Sequence, residues 1–190
     1  MLYAMPHSVC PWWLGYFLSS PVRGWLGQHP GKILSPYVRE GMTVLEPGPG
    51  MGFFTLPLAE LVGPTGRVVA VDIQPKMIAS LKRRAAKKNL LERIDARVTS
   101  AATLGISDLE GKVDFTLAIA MVHELPNATR FFAEVGPASK PGAKVLLAEP
   151  RGHVREADFA AELSAASAAG FSLQGQPSVP RSLTALLVKN

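Results

Sequence analysis

An acid followed by closely spaced glycines occupies residues 44–55, VLEPGPGMGFFT. Glu46 precedes Gly48, Gly50 and Gly52, between an apolar β-branched run and a run with helical spacing. Glycines permit positive φ angles and let a backbone approach a ligand closely. Dinucleotide sites use G-x-G-x-x-G to hold pyrophosphate, whereas this loop has G-x-G-x-G and a carboxylate before it. The loop therefore predicts either a ligand with an ammonium group or a structural turn.

A second acid, Asp72, ends the next apolar run, twenty residues after Gly52. A carboxylate at this place can accept hydrogen bonds from both ribose hydroxyls. Ile73, which follows it, can pack on the face of an adenine. Taken together, the two loops predict a ligand with an amino-acid group at one end and a nucleoside at the other, without a phosphate. S-Adenosylmethionine has this structure.

Strand-like and helix-like segments alternate along the rest of the chain, which predicts a mostly parallel sheet with helices on both faces. Such sheets bind ligands beyond the carboxyl ends of their strands. Strands are predicted at 42–47, 67–73, 94–100, 113–122, 143–150, 171–178 and 182–190, and helices at 53–62, 75–89, 128–140 and 155–170.

These motifs resemble those of the class I S-adenosylmethionine-dependent methyltransferases. The matching stretches are VLEPGPGMG for the first motif, VVAVDIQPKMI for the second, DFTLAIAMVHELP for the fourth and GF…PRSLTALLVKN for the last hairpin. The resemblance covers about residues 30–190. It implies an α/β, doubly wound sheet of seven strands in the order 3-2-1-4-5-7-6, with an antiparallel last strand and helices on both faces.

The resemblance also implies which residues contact S-adenosylmethionine. Glu46 is expected near the methionine ammonium, through water, and Asp72 at the ribose. The family usually has an acid after the third strand, at the adenine amino group, and Ser100 takes that place here as a departure. The implied set is Glu46, Gly48, Pro49, Gly50, Gly52, Asp72, Ile73, Ser100, Ala101 and Ala120.

Candidates for the chemistry of the methyl acceptor follow the fourth and fifth strands. Methyl transfer needs a positioned nucleophile and sometimes a base that removes its proton. Because histidine titrates near neutral pH, His123 is the favoured base, although it can equally cap or orient a loop. We predict His123, Glu124 and His153 as catalytic residues and keep Glu149 as a further candidate.

The class of acceptor is narrowed by motifs that the sequence lacks. No NPPY or DPPY follows the fourth strand, which disfavours an adenine or glutamine nitrogen, and no nucleophilic Pro-Cys is present for cytosine. A small, apolar or planar molecule is therefore the leading acceptor. The net charge of +5 and the pI of about 9.6 keep RNA methylation as an alternative. A nucleotide-cofactor oxidoreductase on a similar sheet and a non-catalytic binding protein also stay open.

An aromatic N-terminal segment, 1–30, is predicted to cover the catalytic domain at 31–190. Its apolar run lacks the basic start of a signal peptide and is too short to span a bilayer, which favours a cytoplasmic protein without stable membrane insertion. One cysteine and four histidines give no metal-site spacing. The aromatic residues could line the acceptor pocket, pack on the core or form a homodimer contact: Trp12, Trp13, Tyr16, Phe17 and Trp25.

Overall fold

Residues 29–190, which this computed structural model describes, alternate strands and helices as predicted. The predicted cover segment 1–30 lies outside these residues except for its last two positions. The strands are β1 Thr43–Pro47, β2 Arg67–Asp72, β3 Ile94–Val98, β4 Val113–Ile119, β5 Ser139–Pro150, β6 Phe171–Gly175 and β7 Ser182–Lys189. The α-helices are α1 Pro30–Leu34, α2 Thr55–Leu61, α3 Pro75–Lys87, α4 Ala128–Ala138 and α5 Glu156–Ala168.

The seven strands form one sheet in the order β3-β2-β1-β4-β5-β7-β6, which confirms the predicted topology. Strand β1 pairs in parallel with both β2 and β4. Strand β7 runs antiparallel to its two neighbours, β5 and β6. Because β1, β2 and β4 are parallel neighbours, their carboxyl ends meet at the same edge, where the strand order reverses.

Helices cover both faces of the sheet, and alternate residues of each strand enter different cores. On β5, Val145 and Leu147 pack into the core under α4 and α5, whereas Leu146 packs into the core under α1, α2 and α3. This alternation follows from the two-residue period of a strand. A sheet that is buried on both faces explains why its strands read as continuous apolar runs. No helix within residues 29–190 is long and apolar enough to cross a membrane.

The predicted strand at 113–122 is too long, because β4 ends at Ile119. Ala120 has a φ of 53°, and its N–H donates a hydrogen bond of 2.8 Å to the Ala148 carbonyl. This left-handed residue turns the chain into a short 3₁₀ helix at Val122–Glu124. The apolar run continues through the turn, so its composition gave no sign that the strand had ended.

Gly66, the residue before β2, is packed too tightly for any side chain. A Cβ there would lie 2.5 Å from the Val62 carbonyl oxygen and 2.7 Å from the Met42 carbonyl oxygen. We expect Gly66→Ala to lower the free energy of unfolding by about 1–3 kcal/mol in urea denaturation. Gly175→Ala is the control, because a Cβ at Gly175 would meet nothing within 4 Å. Equal denaturation midpoints for the two variants would contradict this packing.

Candidate active site

The loop after β1 has three glycines in left-handed conformations. Their φ angles are 68° at Gly48, 53° at Gly50 and 88° at Gly52, values that residues with a side chain rarely adopt. A Cβ added to Gly50 would meet nothing within 4 Å. The middle of the loop therefore presents bare backbone to open space, where a ligand can approach it.

The two outer glycines and an arginine fix the position of this loop. A Cβ on Gly52 would lie 2.5 Å from Cδ1 of Leu81, and one on Gly48 would lie 3.1 Å from Cβ of Met121. Nη1 of Arg84 donates a hydrogen bond of 2.6 Å to the carbonyl of Met51. Arg84 was not identified from the sequence, because it lies in a basic run of α3 that is typical of a solvated helix face.

Asp72 joins the glycine loop to the end of β2, as the predicted site requires. Its Oδ2 accepts a hydrogen bond of 3.3 Å from the Gly50 N–H, and its Oδ1 accepts one of 2.8 Å from the Gln74 N–H. Burial raises the pKa of Asp72, and the hydrogen bonds from Gln74 and Gly50 oppose that rise. The carboxylate thus holds together the two loops that the sequence analysis assigned to one ligand.

Glu46, just before this loop, is a buried acid with one oxygen that has no hydrogen-bond partner among the described residues. Its side chain is 4% exposed, and neither its Oε2 nor Oγ1 of Thr55 has a hydrogen-bond partner within residues 29–190. Burial raises the pKa of Glu46 to about 8, and the charge of Asp72 adds to the rise although Thr55 opposes it. A ligand cation could supply the missing partner, so the site fits an ammonium group.

The remaining predicted cofactor residues lie around the same loops, with different exposure. Ile73 is 37% exposed after β2 and can present an apolar face to a ring. Ser100 is exposed, and its Oγ accepts a hydrogen bond of 3.2 Å from the Ala102 N–H. Ala101 is also exposed, while Pro49 is buried within the glycine loop.

A histidine and a buried glutamate meet where β4 and β5 end. Oε1 of Glu149 accepts a hydrogen bond of 2.8 Å from the Val122 N–H. Its Oε2 accepts a short hydrogen bond from Nδ1 of His123. Glu149 is fully buried. The hydrogen bond with Glu149 raises the pKa of His123, while partial burial opposes the rise. With Nδ1 held in this way, Nε2 is the ring atom left to accept a proton.

His123 lines a cleft of about 980 Å³ between the segment after β4 and helix α5. The other two predicted catalytic residues, Glu124 and His153, line the same cleft. His153 lies at an exposed position. The cleft begins at Val122, next to the Met121 side chain that packs on the glycine loop. Met121 thus connects the segment that lines the cleft to the glycine loop.

Glu162, on α5, also lines the cleft and was not identified from the sequence. Its side chain is 6% exposed, and Oε2 is buried without a hydrogen-bond partner within residues 29–190. Its spacing in the sequence does indicate its position. Glu162 lies three residues after Phe159 and three before Ala165, both of which are buried. That spacing places Glu162 on the inward face of the helix.

Comparisons with known proteins identify the family. The family described as "Methyltransferase domain" matches residues 38–178. An arsenite methyltransferase from Halobacterium salinarum is 31% identical over 109 residues, which are 57% of this chain and 27% of that protein. A protein-L-isoaspartate O-methyltransferase from Methanothrix thermoacetophila is 38% identical over 113 residues, which are 58% of this chain and 48% of that protein. The chain thus spans less than half the length of either curated relative.

Among solved structures, a methyltransferase described as SAM dependent from Aquifex aeolicus has a TM-score of 0.81 at 23% identity. The match covers 95% of this chain and 98% of that chain. This likeness shows that the fold is shared. The family match covers most of the chain and confirms the resemblance predicted from the glycine loop and Asp72. The chain belongs to the methyltransferase-domain family.

Proposed function

We propose that this chain transfers a methyl group from S-adenosylmethionine to a hydroxyl group of a small, mainly apolar or planar molecule. The observation that carries the proposal is the pairing of His123 with buried Glu149 in a cleft lined by Val122, the residue after Met121, whose side chain lies close to Gly48. The pairing provides a base for a hydroxyl proton, and the loop provides a place for the methyl donor.

The residues on the donor side fit S-adenosylmethionine. The open backbone at Gly50 allows close approach, Asp72 offers a carboxylate to ribose hydroxyls, and Glu46 has an oxygen without a partner in the described part of the chain. When bound, S-adenosylmethionine supplies an electrophilic methyl group on a sulfonium and leaves as S-adenosylhomocysteine. Since the donor is already activated, the protein mainly has to position the acceptor and remove its proton.

On the acceptor side, His123 acts as a general base in this proposal. The Glu149 carboxylate accepts the Nδ1 hydrogen bond, orients the ring and stabilises the imidazolium that forms when Nε2 takes the hydroxyl proton. The Val122 N–H holds the other oxygen of Glu149, which fixes the geometry of the pair. Such a base suits a phenol or an enol, whose proton it can remove near neutral pH.

The lining of the cleft favours a small molecule over RNA. Several apolar side chains line the cleft beside His123, among them Val122, Leu125 and Val154. Glu124 adds an acid to the lining that would repel a phosphodiester backbone, and Arg155, which also lines the cleft, is already paired with Asp158. RNA methylation therefore remains the less favoured alternative. An oxidoreductase is disfavoured because the glycine spacing differs from the dinucleotide pattern and an acid, Glu46, precedes the loop. The cytoplasmic location and the homodimer stay predictions.

Asp72→Ala should weaken the binding of S-adenosylhomocysteine by about 1–3 kcal/mol in isothermal titration calorimetry, because ribose hydroxyls lose a charged acceptor. Asp72→Asn is the matched control, since its amide oxygen can still accept the Gly50 hydrogen bond, and it should lose less. Thermal denaturation of both variants separates a binding defect from a folding defect. Unchanged affinity in a folded Asp72→Ala protein would remove Asp72 from the cofactor site.

Binding of S-adenosylhomocysteine should release a proton from Glu46 near neutral pH. In the free protein the pKa of Glu46 is about 8, so the acid is mostly protonated at neutral pH. An ammonium nearby lowers that pKa, and the proton leaves. Calorimetry in buffers of different ionisation enthalpy measures this release. It should disappear in Glu46→Gln and diminish in the wild type as the pH rises above 8. Equal release by Glu46→Gln and wild type would contradict the assignment.

His123→Ala should lower kcat for methylation of a phenolic acceptor by about 100-fold or more, since general base catalysis is lost. His153→Ala, in the same cleft, is the control and should change kcat less.

Glu149→Gln removes the hydrogen bond that raises the pKa of His123. The acid limb of the kcat/KM profile should therefore move to lower pH in Glu149→Gln. An unmoved limb in a folded variant would show that His123 is not the base.

A further inference from the structure

Glu162 is a buried acid in the wall of the acceptor cleft that the proposed mechanism leaves without a task. It lies on α5, across from the segment that carries His123. Asp158, one turn earlier on the same helix, also lines the cleft. Asp158 is exposed, whereas Glu162 is only 6% exposed. Oε2 of Glu162 has no hydrogen-bond partner within residues 29–190.

Two basic side chains that line the cleft near Glu162 each have another carboxylate partner among residues 29–190. Arg155, on the same helix, donates hydrogen bonds of 2.7 Å and 2.8 Å to Asp158. His123, from the facing segment, gives its Nδ1 to Glu149. A buried carboxylate without a compensating partner is costly, so such a group takes up a proton instead. Glu162 is therefore expected to be a neutral carboxylic acid near neutral pH.

The electrostatics agree with this assignment. Burial raises the pKa of Glu162 to about 8, the negative charges of Glu149 and Asp158 add to the rise, and His123 opposes it. At neutral pH the side chain thus carries an O–H that can donate a hydrogen bond. A group of this kind can donate to an oxygen that only accepts, such as a carbonyl, without first losing its proton, as it would have to do beside an ammonium.

We propose that Glu162 determines acceptor specificity by donating a hydrogen bond to a carbonyl oxygen adjacent to the hydroxyl that His123 deprotonates. The acceptor is then a planar hydroxy-carbonyl compound rather than an amine or a simple phenol. This inference rests on the proposed function, because it takes the His123 cleft as the acceptor site.

Three probes separate the possible roles of Glu162. 2′-Hydroxyacetophenone has its carbonyl beside the hydroxyl, 4′-hydroxyacetophenone has it far away, and 2-hydroxybenzylamine replaces it by an ammonium. The formation of S-adenosylhomocysteine is measured for each probe. The wild type should prefer the 2′ isomer over the 4′ isomer by about 10-fold in kcat/KM, the value of one hydrogen bond. It should methylate the amine more slowly than the 2′ isomer.

The variants show which property of Glu162 matters. Glu162→Gln keeps a neutral donor and should keep the preference for the 2′ isomer, whereas Glu162→Leu should lose it. Glu156→Gln is the control, since Glu156 is an exposed acid of the same helix. Retention of the preference by Glu162→Leu would overturn the inference. So would a preference for the amine that Glu162→Gln and Glu162→Leu lose equally, because Glu162 would then act as a carboxylate.

Failure of the inference can be told from failure of the proposed function. Methylation of both isomers at equal rates by the wild type would overturn the role of Glu162 and leave the hydroxyl acceptor in place. Methylation of neither isomer, with S-adenosylhomocysteine bound normally, would overturn the hydroxyl acceptor and the inference with it.

A measurement without any acceptor tests the protonation state directly. In carbon-13 NMR of the protein bound to S-adenosylhomocysteine, one glutamate carboxyl should titrate near pH 8. That signal should be absent in Glu162→Gln and present in Glu156→Gln. A Glu162 carboxyl that titrates near the ordinary glutamate value of about 4.3 would overturn the inference.

Discussion

The parallel pairing of β1 with both β2 and β4 is the constraint on which the site depends. It brings the ends of three strands to one edge, so that the loops after them face one another. Gly50 then comes within hydrogen-bond distance of Asp72, and Met121 packs against Gly48. A sheet with another strand order would separate these loops, and the same residues would no longer form one site.

Three buried glutamates differ in whether their carboxylate oxygens have hydrogen-bond partners. Glu149 has two hydrogen-bond partners and serves as a fixed support for His123. Glu46 and Glu162 each have a buried oxygen without a partner among the described residues. Burying such groups costs stability, and a ligand that supplies the missing partner recovers part of that cost. We therefore propose that the two unpartnered acids mark the places where ligands bind.

The sequence was sufficient to predict the strands and the glycine loop because those features depend on local patterns, whereas the strand order came from the family resemblance. Apolar runs predicted the strands, and glycine spacing with Glu46 and Asp72 predicted the loop. The end of β4 was predicted wrongly, since Ala120 adopts a left-handed conformation that its residue type does not suggest. The pairing of His123 with Glu149 joins residues 26 positions apart, so only the packed structure reveals it. To identify Glu162 from the sequence, one would have to know which face of α5 packs inward.

The central claim is that the glycine loop, Glu46 and Asp72 bind a sulfonium nucleoside rather than a dinucleotide. Equilibrium titration of the purified protein with S-adenosylmethionine and, separately, with NADH tests it most directly, by calorimetry for the first and nicotinamide fluorescence for the second. The structure predicts saturable binding of S-adenosylmethionine and none of NADH. Saturable binding of NADH without binding of S-adenosylmethionine would contradict it.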